Sequence, residues 1–551
     1  MEQTQHKKSN SSKNVLIQGS ILAAAGIITR IIGLAKKIPL AQIIGDVGNS
    51  YYSCAYEIYT IILMISTYSL PLAVSKMVSA RIAKGEYKNA RKVFRMSLLF
   101  AAVVGGTFSV LIFFFAKDLS AWFDEPMSYL ALTVLAPTVF IVSIMGVFRG
   151  YFQGLGTMFP TAFSQVFEQI FVVTVSLLGS FYLMKYGNKA GTLLGDPNYT
   201  YAYGAGGAAI GPFAGALFGL LFLLFIYNIN RKELNRRAAR DLSYHEETYI
   251  TVLKVVLLTA LPVLLSSAIY NLTNLADQKL YHSIMIKIGE EATKSRNWGA
   301  YTGKYKVLIS VPIAIANAMC STITPNIAGL YSKNNITAIR EKISVAMRYV
   351  TTISIPAFIG LATMARPIID LLFDNEIDIP IKMMRFCSIA IVFYSISTLT
   401  NGILQGIGKL RKPVIHSAIS LLIHCVLVVL LLFTTNLNIY AVAIADAVFA
   451  LTMCIMNALS IQRELNYKQE VLKTFICPLV AASVMGAFII LFNALLGKVL
   501  GNLLTVLIGL VLAILIYFVV LILIKGMTKE ELIEMPYGRK LYMVFHKIHL
   551  L

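Results

Sequence analysis

Ionisable side chains stand inside long apolar runs of this chain, where an isolated charge costs about 2.5–3.5 kcal/mol on insertion scales. The first run holds Arg30, with Lys36 and Lys37 near its far end, and the second holds Glu57. Later runs hold Glu168 between Gln165 and Gln169, then Asn271, Asn274, Asp277 and Lys279, then Lys304 and Lys306, then Arg385, His416, His424 and Asp446. Arginine offers a planar fork to a phosphate and lysine a point charge. A set led by Arg30, Lys36, Lys37, Lys304 and Lys306, with Glu57 and Asp277 as minority acids, suits the binding of an anionic group. The plainer alternative is internal salt bridging, of Glu57 with a base of the first run and of Asp277 with Lys279 or Lys304. Lys36 and Lys37 have a third option, snorkelling to the membrane surface. Asn274, Asp277 and Asp446 fit either a monovalent-cation site or polar packing. No GxxxxGK[ST] sequence and no catalytic constellation occurs, which points away from a built-in ATPase and from an enzyme.

These residues need elements that hold them at depth. The chain has 551 residues, of which 57% are hydrophobic, and a mean hydropathy of +0.72, more apolar surface than a soluble fold could hide. Its apolar runs approach 20 residues and do not alternate, so they read as membrane-crossing helices and not as barrel strands. Fourteen candidate spans fall at 15–38, 51–79, 93–116, 128–152, 160–184, 203–229, 250–276, 300–330, 343–364, 380–407, 413–434, 439–461, 472–496 and 501–525. The fold class is therefore all-α and polytopic. The basic N-terminus lacks a small-residue cleavage site, so the first run reads as a retained helix. Cys54, Cys320, Cys387, Cys425, Cys454 and Cys477 are scattered without a CxxC, as small apolar side chains would be. No metal framework and no cofactor is expected.

The net charge of +21 would suggest nucleic acid in a soluble protein, but here it follows the connections between spans. Lys7 to Lys13, Lys76 to Arg95, Arg231 to Arg240, Lys333 to Lys342, Lys409 to Lys412, Arg463 to Lys473 and the tail after Lys525 are basic. The intervening "KDLSAWFDEP", "GDPNYTY", "RPIIDLLFDNEIDIP" and "TTNLNIY" are not. Lys and Arg gather on the cytoplasmic side, so both termini are expected there, with anionic lipid as an added attraction.

The sequence also repeats. "FRGYFQGLGTMFP" returns as "TNGILQGIGKLRKP", with Gln153 and Gln405 252 residues apart. Gly150, Gly154 and Gly156 correspond to Gly402, Gly406 and Gly408. Tyr51 pairs with Tyr301, Pro71 with Pro325 and Arg91 with Arg340. Six spans, an even number, separate the copies, so the halves share one topology and an axis along the membrane normal. Residues 1–240 form an N-lobe of helices 1–6 and 241–465 a C-lobe of helices 7–12; 466–551 hold helices 13–14 and a tail. The phrase reads as a hinge or tight loop in each lobe, built by Gly150, Gln153, Gly154, Gln405 and Gly406. Gly207, Gly211, Gly215 and Gly219 form a small-residue face for helix packing, and Pro212 a bend. Spans 1, 2, 7 and 8 are richest in charge and should line a central cavity.

"GSILAAAGIITRIIGLAKKIPLAQIIGDVG", "YSLPLAVSKMVSARIAKGEYKNARKVFR" and "RGYFQGLGTMFPTAFSQVFEQIFVV" resemble the polysaccharide-exporter branch of the MOP superfamily, in particular MurJ/SpoVB-type proteins. The resemblance covers essentially the whole chain. It implies fourteen helices, alternating access, and export of lipid-linked cell-wall precursor, lipid II, across the bacterial cytoplasmic membrane. It implies a groove for the polyprenyl tail at spans 13 and 14. Arg30 matches the first basic residue of the family's span 1 and Lys36 the second; Lys304 or Lys306 matches the base early in span 8. A span 2 arginine of Gram-negative members has no match in "YEIYTIILMIS".

Four functions follow as alternatives. The first is a lipid II flippase; the second a flippase for another polyprenyl-linked glycan, including a sporulation-specific one. The third is a cation-coupled multidrug antiporter, which would want an acidic cavity. The fourth is a scaffold for the cell-wall machinery. The expected partners are a polyprenyl-diphosphate-linked glycan, the bilayer and that machinery, and no nucleic acid. Coupling by Na⁺, H⁺ or the membrane potential stays open.

Overall fold

The computed structural model describes residues 2–67, 70–239, 241, 248–373 and 377–527; side chains are described from residue 21 apart from short stretches, chiefly 65–69 and 255–271. Helix dominates, and no strand occurs among the described residues. Packing divides the chain into two compact units, Met1–Gly299 and Ala300–Leu551.

The first unit contains α1 (Glu2–Thr67), α2 (Leu70–Ala83), α3 (Tyr87–Trp122), α4 (Tyr129–Gly154), α5 (Phe159–Leu194), α6 (Asn198–Ala239), α7 (Tyr249–Lys287) and α8 (Glu291–Ala300). The second begins with a π-helical turn, Tyr301–Tyr305. It continues with α9 (Lys306–Ser332), α10 (Ile336–Thr363), α11 (Ala365–Leu372), α12 (Asp378–Cys387), α13 (Ala390–Gly406), α14 (Arg411–Thr434), α15 (Ile439–Leu465), α16 (Cys477–Leu500) and α17 (Asn502–Leu523).

Among the described residues, ten helices are long and apolar enough to cross a membrane, and α12 with α13, bent by 55°, make an eleventh. The other three expected spans, 15–38, 51–79 and 250–276, fall on α1, α2 and α7, whose side chains are only partly described. The expected Asn271 side chain lies outside the described residues. The protein is thus a multi-pass, all-α membrane protein.

Local sequence explains where helices turn. Inside α1, Gly45 has φ 66° and ψ −177°, a conformation only glycine adopts without strain, and the chain bends there between the first two spans. Proline is tolerated within spans because neighbouring groups re-satisfy the freed carbonyl, and α6 runs through Pro212 as a continuous helix.

Small residues set the seams. A Cβ at Gly150 of α4 would come within 2.5 Å of the Pro71 carbonyl oxygen, and one at Gly154 within 2.7 Å of Val78 Cβ. In the second unit a Cβ at Gly402 would clash with Cys320 and approach Thr324 Oγ1 to 2.6 Å, and one at Gly406 would meet the Thr324 carbonyl oxygen at 2.9 Å. So α4 sits on α2 as α13 sits on α9. This corrects the expected loop placement: Gly150, Gln153 and Gly154 lie in the last turns of α4, and Gln405 and Gly406 in those of α13. The turns come two residues later, at Gly156 (φ 81°) and Gly408 (φ 77°). A four-residue spacing suits both a tight loop and a helix seam, and here burial against a neighbouring helix decides it. The glycine face of α6 packs as expected: Gly207 meets the Gly179 backbone, Gly211 meets Ser176, and Gly215 meets Val172 and the Glu168 carbonyl oxygen.

Basic connections meet at one end of each unit. The Lys88 amide donates to Asp241 Oδ2 at 2.7 Å. Lys409 and Lys412 reach Glu464 at 2.9 and 2.7 Å, Arg348 pairs with Glu470, and Arg340 Nε donates to the Leu465 carbonyl at 2.7 Å.

Candidate functional site

The polar side chains of the first unit form a face on α1, α4 and α5. Lys36 is only 8% exposed, and its Nζ lies 5.6 Å from the centre of the Tyr52 ring. A lysine that snorkelled would be solvated instead, so burial over a π face replaces that option for Lys36. Arg30 and Lys37 are exposed. Beyond Tyr52 the rings of Tyr56 and Tyr59 follow at 5.6 and 5.8 Å, and Tyr56 is 41% exposed. Glu57, between them, is half-buried. Glu168 is half-buried on α5. It pairs with Arg149, Nη2 to Oε2 at 2.6 Å, while Arg149 Nε donates to Ser164 Oγ at 3.0 Å. Gly33 of α1 would carry a Cβ 3.5 Å from the Gln169 amide oxygen, so α1 and α5 approach beside this face.

At the end of this unit away from the basic loops, the α3–α4 turn is pinned by α1, α7 and α8. Ser50 Oγ donates to Glu125 Oε1 at 2.8 Å and Ser295 Oγ to Oε2 at 3.1 Å, and His282 Nε2 lies 3.6 Å from Oε1. Lys279 pairs with Asp124 at 2.8 Å, and Lys294 Nζ donates to the Asp124 carbonyl at 2.8 Å. Burial pushes the Glu125 carboxyl up to about 7, against Ser295, Ser50 and Lys294, which favour its charged form. Asp124 behaves oppositely: desolvation resists ionisation, but Lys279 and Ser283 hold its carboxyl below the usual range. Asp277 is fully buried and Asn274 half-buried on the same helix as Lys279. Lys279 therefore has Asp124 as its ion-pair partner.

The second unit has a closed polar centre. Asp446 of α15 accepts hydrogen bonds from the Tyr301 hydroxyl and from the Tyr394 hydroxyl, the latter at 3.2 Å, and pairs with Lys306 at 3.5 Å. Lys306 also lies 4.8 Å from the Tyr301 ring centre. Lys304, 2% exposed, stands 5.9 Å from the Phe373 ring. Both lysines come from the junction of the π-helical turn with α9, and such turns break the regular ladder where side chains must be re-aimed. Below this, His416 Nδ1 is 2.7 Å from Asn457 Oδ1, and Asn457 Nδ2 donates to Asn401 at 2.8 Å. His416 is thus a satisfied core residue.

Arg149 carries no sequence signal of its role, because its partner Glu168 lies across the Gly156 turn, out of helical register. Tyr52, Tyr56 and Tyr59 do carry one, a spacing that places them on one helix face. Asp124 and Glu125 were visible only as an acidic loop.

Residues 15–331 match the polysaccharide biosynthesis protein family, and residues 303–430 match the MatE family. The chain belongs to the polysaccharide biosynthesis protein family. It is 26% identical over 503 residues to the lipid II flippase MurJ of Bacillus subtilis, covering 88% of this chain and 89% of that one. Stage V sporulation protein B of the same organism is 22% identical, with 82% and 85% covered. Among solved structures, the lipid II flippase MurJ in an inward closed conformation superposes with a TM-score of 0.66 at 14% identity over 91% of this chain and 97% of that one. An inward-facing multidrug resistance MATE transporter of the MOP superfamily gives 0.62 at 16% identity, over 80% and 94%. This polysaccharide biosynthesis family member thus shares its fold with flippases and transporters.

Proposed function

We propose that the protein carries a polyprenyl-diphosphate-linked glycan, lipid II foremost, from the inner to the outer leaflet of the bacterial cytoplasmic membrane by alternating access. The observation that carries this reading is similarity to a lipid II flippase over 88% of the chain, joined to a first unit whose deep charges are led by lysine and arginine. Arg30, Lys36 and Lys37, with Lys304 and Lys306, supply cations for a diphosphate, and Glu57 and Asp277 complete the binding set. The polyprenyl chain stays in lipid, where each CH₂ is worth about 0.8 kcal/mol. With both termini and the basic loops in the cytoplasm, an anionic headgroup moves toward the positive side, gaining about 2.3 kcal/mol per charge per 100 mV. Residues 1–240 and 241–465 act as the two lobes, with the tail groove at 466–551. The glycine turns after Gln153 and Gln405 serve as their hinges.

A second reading, export of a different polyprenyl-linked glycan during sporulation, is favoured by the similarity to stage V sporulation protein B. A MATE-like antiporter is disfavoured by the basic first unit. A cation site at Asn274, Asp277 and Asp446 would have to compete with Lys306, which already holds Asp446.

The test is complementation of a bacterium depleted of its own lipid II flippase, reading lipid II exposed on the outer leaflet. Restored exposure and growth, lost with Arg30→Ala at unchanged protein level, is expected. Healthy membrane expression without restored exposure would overturn lipid II as cargo.

A further inference from the structure

The polar face of the first unit runs through much of the bilayer's thickness. Ser50 bonds to Glu125, so the Gly45 bend and the α3–α4 turn lie at one end of this unit, and α4 then runs from that turn to Gly156 at the other. Lys36 and Tyr52 stand nine residues before and seven after Gly45, roughly 13 and 10 Å of helix at 1.5 Å per residue. Tyr56 lies roughly 16 Å in, near the midplane of a hydrocarbon core about 30 Å thick. From the opposite end, Arg149 and Glu168 stand roughly 10 and 13 Å in. Lys36, Tyr52 and Tyr56 in mutual contact, and the Arg149–Glu168 pair, therefore stand at successive depths between the two ends.

Its members are not all core. Tyr59 is 5% exposed and packs inward, but Tyr56 is 41% exposed and Tyr52 half-buried. Lipid offers no partner to a tyrosine hydroxyl flanked by a lysine and a carboxylate, so such a face suits a watery path. The chemistry is also specific. A pyranose ring presents an apolar C–H face and a rim of hydroxyls. Aromatic rings present a flat, electron-rich face to the first, and a carboxylate and guanidinium accept from and donate to the second.

We propose that Tyr52 and Tyr56 form a stacking track for the sugar rings of the cargo, with the Arg149–Glu168 pair binding their hydroxyls at its far end. This rests on the export reading above. The diphosphate is left to the basic residues, so the track governs the glycan and not the charged linkage.

The experiment measures binding of two lipids to the purified full-length protein in nanodiscs: lipid II, and undecaprenyl diphosphate, which lacks sugar. Tyr56→Leu should weaken lipid II binding about tenfold or more while leaving undecaprenyl diphosphate within about twofold. Tyr56→Phe, which keeps the ring, should bind lipid II nearly as the parent does. Retained binding of undecaprenyl diphosphate also shows that each variant is folded. Equal loss of both lipids, or unchanged lipid II binding in Tyr56→Leu, would overturn the track while the export reading stands. A parent protein that binds neither lipid would overturn the export reading and the track with it.

Discussion

The two units solve the same packing problem alike and the polar problem differently. In both, a helix bearing the glycine pair, Gly150 with Gly154 or Gly402 with Gly406, lies tight against a proline-containing partner and ends in a glycine turn. Their deep charges part company. In the first unit Arg30 and Lys37 are exposed and Tyr56 is open, whereas in the second Asp446 is enclosed by Lys306, Tyr301 and Tyr394. Repetition has kept the seam and released the chemistry, leaving Arg30 and Lys37 exposed in one unit and Lys306 tied to Asp446 in the other.

The sharpest way to break this contrast is at its charged end. Arg30→Ala is expected to abolish complementation while the protein still inserts and accumulates; normal growth on that variant would remove the anion-binding role of the first unit. Next come the seams. A side chain at Gly150 meets backbone that cannot yield, whereas one at Gly402 meets side chains that can rotate. Gly150→Val should cost about 3 kcal/mol and Gly402→Val about 1 kcal/mol, read as thermal unfolding in detergent. Equal costs would mean that the seams differ less than their contacts imply.

The polar centres give a crossed pair of outcomes. Asp446→Asn should lower stability by about 1–3 kcal/mol, because a buried carboxylate accepting several hydrogen bonds loses its charge. Glu168→Gln, at the more accessible Arg149 pair, should change stability less and transport more. The reverse ranking would contradict the assignment of an open unit and a closed one.

The smallest expected effect concerns pH. Glu125 keeps its proton up to about 7 in the folded protein but would lose it near 4.5 when unfolded. A raised carboxyl binds the proton more tightly in the folded state, so its stabilisation is present at low pH and declines as pH rises from about 4.5 to 7. Glu125→Gln should remove this part of the pH dependence, and an unaltered slope of unfolding temperature against pH would show that Glu125 does not titrate there.

Much of this was legible in sequence. Hydropathy marked the spans because lipid forces every crossing segment to be helical and apolar. The glycine face of α6 was legible because a four-residue period is a helical one. Lys36 could be singled out, but its ring partner could not, because Tyr52 returns only after the Gly45 bend. Arg149 stayed hidden for a related reason: its pairing with Glu168 crosses a turn, and side-chain partners across a turn have no sequence period. Glu125 looked like an ordinary loop acid, since only packing by α1, α7 and α8 makes it a buried one.

The most direct test of the central claim uses reconstituted vesicles carrying lipid II in both leaflets and a membrane-impermeant enzyme outside that modifies its glycan. The account predicts that the inner-leaflet pool becomes modified when the protein is present and stays protected with Lys36→Ala or in empty vesicles. An inner pool that stays protected in vesicles containing folded, correctly inserted protein would contradict lipid II export.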